Sequence, residues 1–164
     1  MGFAGTYSFK RWLILWMSMS GLVASLFFPL ILPEPFRTLS MKFFAPVCHQ
    51  LPERSWVWHG MQMAVCHRCT GIYVGLWLGV LAFPFMVRWD RWLRVRAKGL
   101  LILALLPAAI DWVIPWVGFW QNTWLSRVLT GFWLGGIAGY YLARGLVKHA
   151  QIRRNEEVRV HEPV

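Results

Sequence analysis

A chain of 164 residues that is 57% hydrophobic and 15% charged lies outside the range of ordinary soluble domains, about a quarter of whose residues are charged. Its net charge of +10 raises the question of nucleic-acid binding. The basic residues, however, sit in short stretches between apolar runs, with no basic–aromatic recognition motif beside them. The composition therefore points to an integral membrane protein forming one compact bundle.

The first apolar run, residues 12–33, follows Lys10 and Arg11 and carries no charge. A span needs about 20 such residues. The run is longer than the ~7–15-residue core of a secretory signal, and Pro33-Glu34-Pro35 offers no small-residue cleavage site. It reads as a retained span. The connection over about 34–69 follows. Pro46 and Pro52 break it, and Phe43, Phe44, Trp56 and Trp58 suit a membrane–water interface. It is too long and too apolar to float free, so it reads as a re-entrant or interfacial segment of short helices folded back over the bundle. His59 falls on this aromatic stretch and reads as interfacial.

The second span, about 70–87, is charge-free and runs into Arg88, Arg91, Arg94, Arg96 and Lys98. The third, about 99–119, contains Pro107, Asp111 and Pro115, and the fourth covers about 125–144. Residues 1–147 thus form a single transmembrane domain, an all-α four-transmembrane-helix bundle, followed by a polar cytoplasmic tail at 148–164. Basic residues in short loops mark the cytoplasmic side. Both termini are accordingly expected in the cytoplasm and the 34–69 segment outside, in a cell membrane.

The second and fourth spans share a pattern. Arg68-Cys69-Thr70-Gly71 with Gly75 and Gly79 opens one, and Arg127-Val128-Leu129-Thr130-Gly131 with Gly135 and Gly139 opens the other. The readings are a parallel duplication of a two-helix unit or two glycine-rich packing helices that converged. Glycines on one face allow close helix contact, so these faces are candidate surfaces for a membrane-protein partner or a second copy, with the lipid bilayer around them.

This topology gathers polar groups at the outer face. Cys48, His49, Gln50 and Arg54 lie in the outer segment, and Cys66, His67, Arg68 and Cys69 at the mouth of the second span. Asp111 is 13 residues beyond Lys98, roughly 20 Å along a helix, and Gln121, Asn122, Ser126 and Arg127 form the outer turn. An ionisable group within a span needs a partner or a water-filled cavity. Asp111 is thus either a functional acid or one half of an ion pair with Arg127 or Arg68.

The cysteines allow three readings. First comes a metal, with zinc favoured: Cys48, Cys66 and Cys69 with His49 or His67 would supply four tetrahedral ligands. Second comes redox chemistry. Cys66-His67-Arg68-Cys69 at a helix start resembles the site of quinone-linked disulfide-forming oxidases, although Cys48 alone leaves the usual second pair incomplete. Third is one structural disulfide with a spare thiol. Asp111, Gln121, Arg54, Arg68 and Arg127 are the candidates to bind an anionic group, such as the phosphate of a lipid-linked substrate, which a metal-bound water would attack. A non-enzymatic accessory subunit of a larger membrane complex is the remaining alternative.

Cys48-His49-Gln50-Leu51-Pro52-Glu53-Arg54-Ser55, followed by Val65-Cys66-His67-Arg68-Cys69-Thr70-Gly71-Ile72-Tyr73-Val74-Gly75, resembles the signature of a prokaryotic integral-membrane family catalogued as domain of unknown function 2085. Pro107-Ala108-Ala109-Ile110-Asp111, Gln121, Ser126-Arg127 and Thr130-Gly131 resemble that family's second block. The resemblance covers roughly residues 46–139 and departs at Trp112, where a small residue such as glycine is expected. It implies an integral membrane protein with a shared polar site, and no particular activity.

Overall fold

The computed structural model describes residues 7–118 and 121–148. The expected tail, 148–164, lies outside the described residues except for its first. Helix α1 (Phe9–Ser25) is followed by the short α2 (Phe28–Ile31) and α3 (Phe36–Phe44). A hairpin of β1 (Ser55–Trp58) and β2 (Met61–Cys66) leads directly into α4 (His67–Met86). Then come α5 (Asp90–Val95), α6 (Ala97–Val117) and α7 (Trp124–Ala143).

Among the described residues, two helical stretches are long and apolar enough to cross a membrane, His67–Val95 and Ala97–Val117. They match the second and third expected spans. The unbroken first span does not form. Pro29 has no N–H to give the carbonyl four residues back, so α1 stops at 17 residues and the Ser25 carbonyl accepts from Ser40 Oγ at 3.0 Å instead. Helix α7 has 20 residues but is not one of these two stretches.

The 34–69 segment is also not all helix, which corrects the all-α expectation. Ser55-Trp56-Val57-Trp58 is a stretch of strand-favouring residues, and His59-Gly60 closes a two-residue turn with both φ values positive, 48° and 75°. That is the backbone a tight hairpin requires. Trp58 pairs with Met61 and Ser55 with Cys66, with a bulge between the pairs. The bulge turns Met63, Ala64 and Val65 into three consecutive buried residues. They join Leu26, Phe44 and Cys48 in a core beneath the hairpin.

The centre of the fold is the α4–α7 pair. A Cβ on Gly71, Gly75 or Gly79 would strike the backbone of Val128, Phe132 or Gly136, and one on Gly131, Gly135 or Gly139 would strike that of Arg68, Ile72 or Leu76. Each series of contacts steps along both helices in the same direction, from Gly71–Val128 through Gly75–Phe132 to Gly79–Gly136. The pair is parallel and backbone to backbone. The glycine faces are therefore spent inside the chain, and the expectation that they dock a partner or second copy is corrected.

Helix α1 runs antiparallel to α4, with Trp12 Nε1 donating to Val80 O and Trp77 Nε1 to Ser20 Oγ, each at 2.8 Å. Helix α6 returns beside α7. The chain reversals put Arg88–Lys98 and Arg144 at one end of the bundle, and all three cysteines at the other.

Candidate functional site

Three elements bring the sulfurs together. The bulged β2 delivers Cys66 as the N-cap of α4, and one helical turn later comes Cys69. Cys48 arrives from the loop after α3, whose course is set by Gln50. That residue adopts φ +50° and donates from Nε2 to Met41 O and Ala64 O, both at 2.8 Å. Gln62 Nε2 donates to the Gln50 carbonyl at 2.5 Å. The loop is thus tied to both α3 and β2, and the Cys66 amide donates to Cys48 Sγ at 3.2 Å.

The three Sγ atoms lie within 4.8 Å of one another, and none of the three cysteines is in a disulfide. The Cys66 thiol is held far below its ordinary range. Hydrogen bonds from Cys48 and then Cys69 are the largest causes, burial opposes them, and the Cys69 and Arg68 amides of the helix start add to the lowering. Such an environment favours the thiolate, the form that binds metals and acts as a nucleophile. The cluster is able to hold a metal ion.

Neither candidate histidine is a member of this three-sulfur group. His49 is exposed. His67 is buried, stacks edge-on against Trp56 and has no hydrogen-bond partner for Nδ1. His59 occupies the exposed hairpin turn.

Beside the sulfurs is a cavity of about 750 Å³ lined by all three cysteines, by Arg54, Arg68 and Arg127, and by Trp112 and Trp116. Asp111 lies behind this lining. It forms an ion pair with Arg68 Nη2, and Oδ1 accepts from Ser126 Oγ at 2.7 Å. Asn122 completes the arrangement: its Nδ2 donates to the Asp111 carbonyl at 2.8 Å, and its Oδ1 accepts from Arg127 Nε at 2.9 Å and from Nη2. The reason is again a proline. Pro115 lacks the N–H that would bond to the carbonyl of residue 111, and Asn122 supplies the donor.

Of the two partners expected for Asp111, the structure pairs it with Arg68. Arg127 is instead oriented by a neutral amide. Gln121 is exposed, while the adjacent Asn122 and Ser126 make the contacts. The four-residue spacing from Asp111 to Pro115 was the available signal that a side-chain donor would be needed there.

The comparisons place this arrangement. Residues 48–141 match a family described as "Predicted membrane protein (DUF2085)". The uncharacterized protein MJ1492 of Methanocaldococcus jannaschii is 36% identical over 99 residues, covering 60% of this chain and 63% of that protein. An uncharacterized protein of Methanothermobacter thermautotrophicus is 31% identical over 107 residues, covering 65% of this chain and 91% of that protein. No solved structure matches. The matched region begins at Cys48, the first cavity cysteine, and runs through Tyr141 in α7, so the chain belongs to the membrane-protein family DUF2085.

Proposed function

We propose that this protein binds one metal ion, zinc by preference, through Cys48, Cys66 and Cys69 at the extracytoplasmic face of a four-span bundle. The observation that carries the reading is the convergence of the three sulfurs, from two separate segments, within 4.8 Å. Zinc–sulfur bonds of about 2.3 Å in tetrahedral array place sulfurs about 3.8 Å apart, within reach of this cluster. Three protein ligands leave a fourth position, the pattern of catalytic rather than structural zinc. All three cysteines line the cavity, so a zinc ion held by them would keep a position for a ligand from that cavity and would supply Lewis-acid chemistry there.

In the four-span arrangement, α1 and α7 complete the bundle that α4 and α6 begin, and the reciprocal contacts of Gly71, Gly75 and Gly79 with α7 and of Gly131, Gly135 and Gly139 with α4 support a parallel duplication. The arginine-rich end of the bundle faces the cytoplasm by the positive-inside rule, which puts the cysteines outside.

Elemental analysis of the detergent-purified protein tests the reading. About one zinc per chain is expected, lost in Cys66→Ser while the protein stays monodisperse. Metal-free wild type in which Cys66 and Cys69 cycle between free and disulfide states under a quinone oxidant would replace the metal reading with the redox one.

A further inference from the structure

The cavity holds more positive charge than its surroundings neutralise. Of the three arginines that line it, Arg68 is paired with Asp111, which also accepts from Ser126 and Asn122. Among the described residues, no carboxylate forms an ion pair with Arg54 or Arg127. Arg127 spends Nε and Nη2 on the Asn122 amide oxygen, a neutral acceptor that fixes the guanidinium without cancelling its charge. Arg54, Arg68 and Arg127 thus line one cavity together, with the Asp111 carboxylate behind them engaged by Arg68. Arg68 also keeps a buried Nε with no hydrogen-bond partner.

Guanidinium groups gathered around a cavity without matching carboxylates form a site for an oxyanion, because the planar N–H fork fits two oxygens of a phosphate at once. The remaining lining indicates what carries that anion. Trp112 and Trp116, 57% and 79% exposed, lie tilted against each other near the C-terminal end of α6 with ring centroids 5.9 Å apart. Aromatic residues of this kind sit at headgroup depth in membranes. The cavity therefore has a cationic side and an apolar side at the level where a lipid headgroup meets its chains.

We infer that this cavity is a binding site for a phosphate group, held by Arg127 and Arg54 beside the cysteine cluster. The inference goes beyond the metal reading and stands on the arginines, so each can fail without the other. Phosphate is available there either as the free ion or as the headgroup of an anionic lipid, and both present the same oxygens to the guanidinium groups.

The test uses the full-length wild-type protein, with its zinc content recorded in every sample. Inorganic phosphate is titrated calorimetrically into protein in a non-ionic detergent. In parallel, the protein is placed in phosphatidylcholine nanodiscs with or without phosphatidic acid, and bound phosphatidic acid is quantified by mass spectrometry. Binding in either arm is expected to weaken about 10- to 100-fold in Arg127→Gln, as for loss of a charge-assisted bond, with partial recovery in Arg127→Lys. It should be unchanged in Lys98→Gln, at the opposite end of the bundle. Binding of phosphatidic acid alone identifies the lipid as the source, and binding of the free ion as well identifies the phosphate group itself; either upholds the site. A wild type that binds neither overturns it, as does binding insensitive to Arg127→Gln and Arg54→Gln in folded protein. Phosphate binding by zinc-free wild type would uphold this site and remove the metal reading.

Discussion

At one end of the α4–α7 pair, Asp90 takes up Arg144 Nε at 2.6 Å and Tyr140 Oη at 3.4 Å. At the other, Asp111 takes up Arg68, Ser126 and Asn122, yet Arg54, Arg127 and three thiols remain around a cavity. Both ends bury a carboxylate against an arginine. The Asp90 end is packed among Phe83, Val87, Leu93 and Tyr140 and has the character of a structural clasp. The Asp111 end holds its carboxylate behind a cavity lined by three arginines and three cysteines. A buried ion pair is thus no guide to function by itself; what stands unneutralised beside it is.

The comparison can be broken most severely through the frame that both ends share. Gly75→Val places branched carbons against the Phe132 carbonyl and the Gly136 amide, backbone on both sides, which has no rotamer to give way. The helix pair should fail to close, and fluorescence-detected size exclusion should show no monodisperse protein. A folded variant would mean that the pair is not held backbone to backbone.

The next effect separates the ends. Arg144→Leu removes the cationic partner of the buried Asp90 and is expected to cost about 3–5 kcal/mol, as for loss of one partner of a buried pair, seen as a large fall in thermal midpoint. Zinc per folded chain should not change. Arg127→Leu removes a cation bonded only to a neutral amide and should move the midpoint by no more than about 1 kcal/mol of stability. Equal losses from the two substitutions would erase the proposed distinction between clasp and site.

Asn122→Ala should fall between them, at about 1–3 kcal/mol, because it leaves the Asp111 carbonyl without its replacement donor. Pro115→Ala in the same background restores an N–H to that carbonyl, so a double-mutant cycle should recover part of the loss. Strict additivity would argue against the proline–asparagine coupling.

The smallest effect on stability falls on Gln50. Gln50→Ala releases the Cys48 loop from Met41 and Ala64 and should weaken zinc affinity about 10- to 100-fold, the range for residues that orient metal ligands, measured by competition with a chelator. The thermal midpoint of the zinc-free protein should change little. A large loss of stability with unaltered zinc affinity would make Gln50 a core residue and not a positioning one.

Much of this was legible in residue order. The charge-free runs located α4 and α6, the Arg88–Lys98 cluster marked one end, and the glycine spacing identified the packed faces of α4 and α7. Whether those faces meet each other or a partner was not legible, since periodicity defines a face and not its mate. The hairpin was signalled by strand-favouring residues around His59-Gly60, but the aromatic character of the stretch argued equally for the interface. Neither proline repair is legible in residue order, for a common reason. A sequence shows that Pro29 and Pro115 leave carbonyls open, whereas the donors, Ser40 and Asn122, come from elements whose position depends on the fold. Asp90 was hidden among five basic neighbours that suffice to explain topology.

Cys66-x-x-Cys69 was visible as a helix-start pair, whereas the approach of Cys48 depends on a left-handed Gln50 and a bulged strand. Adjacency to the cysteines marks His49 and His67 as candidate ligands, whereas the direction of each ring depends on the turn and the helix start: His49 is exposed and His67 packs on Trp56.

Zinc-edge X-ray absorption on the purified protein tests the proposed three-sulfur metal centre most directly. About one zinc per chain is expected, with a shell of three sulfurs at about 2.3 Å and one lighter oxygen or nitrogen neighbour. Stoichiometric zinc without sulfur in its shell, or wild-type protein that holds no metal when purified in zinc-supplemented buffer, would contradict it.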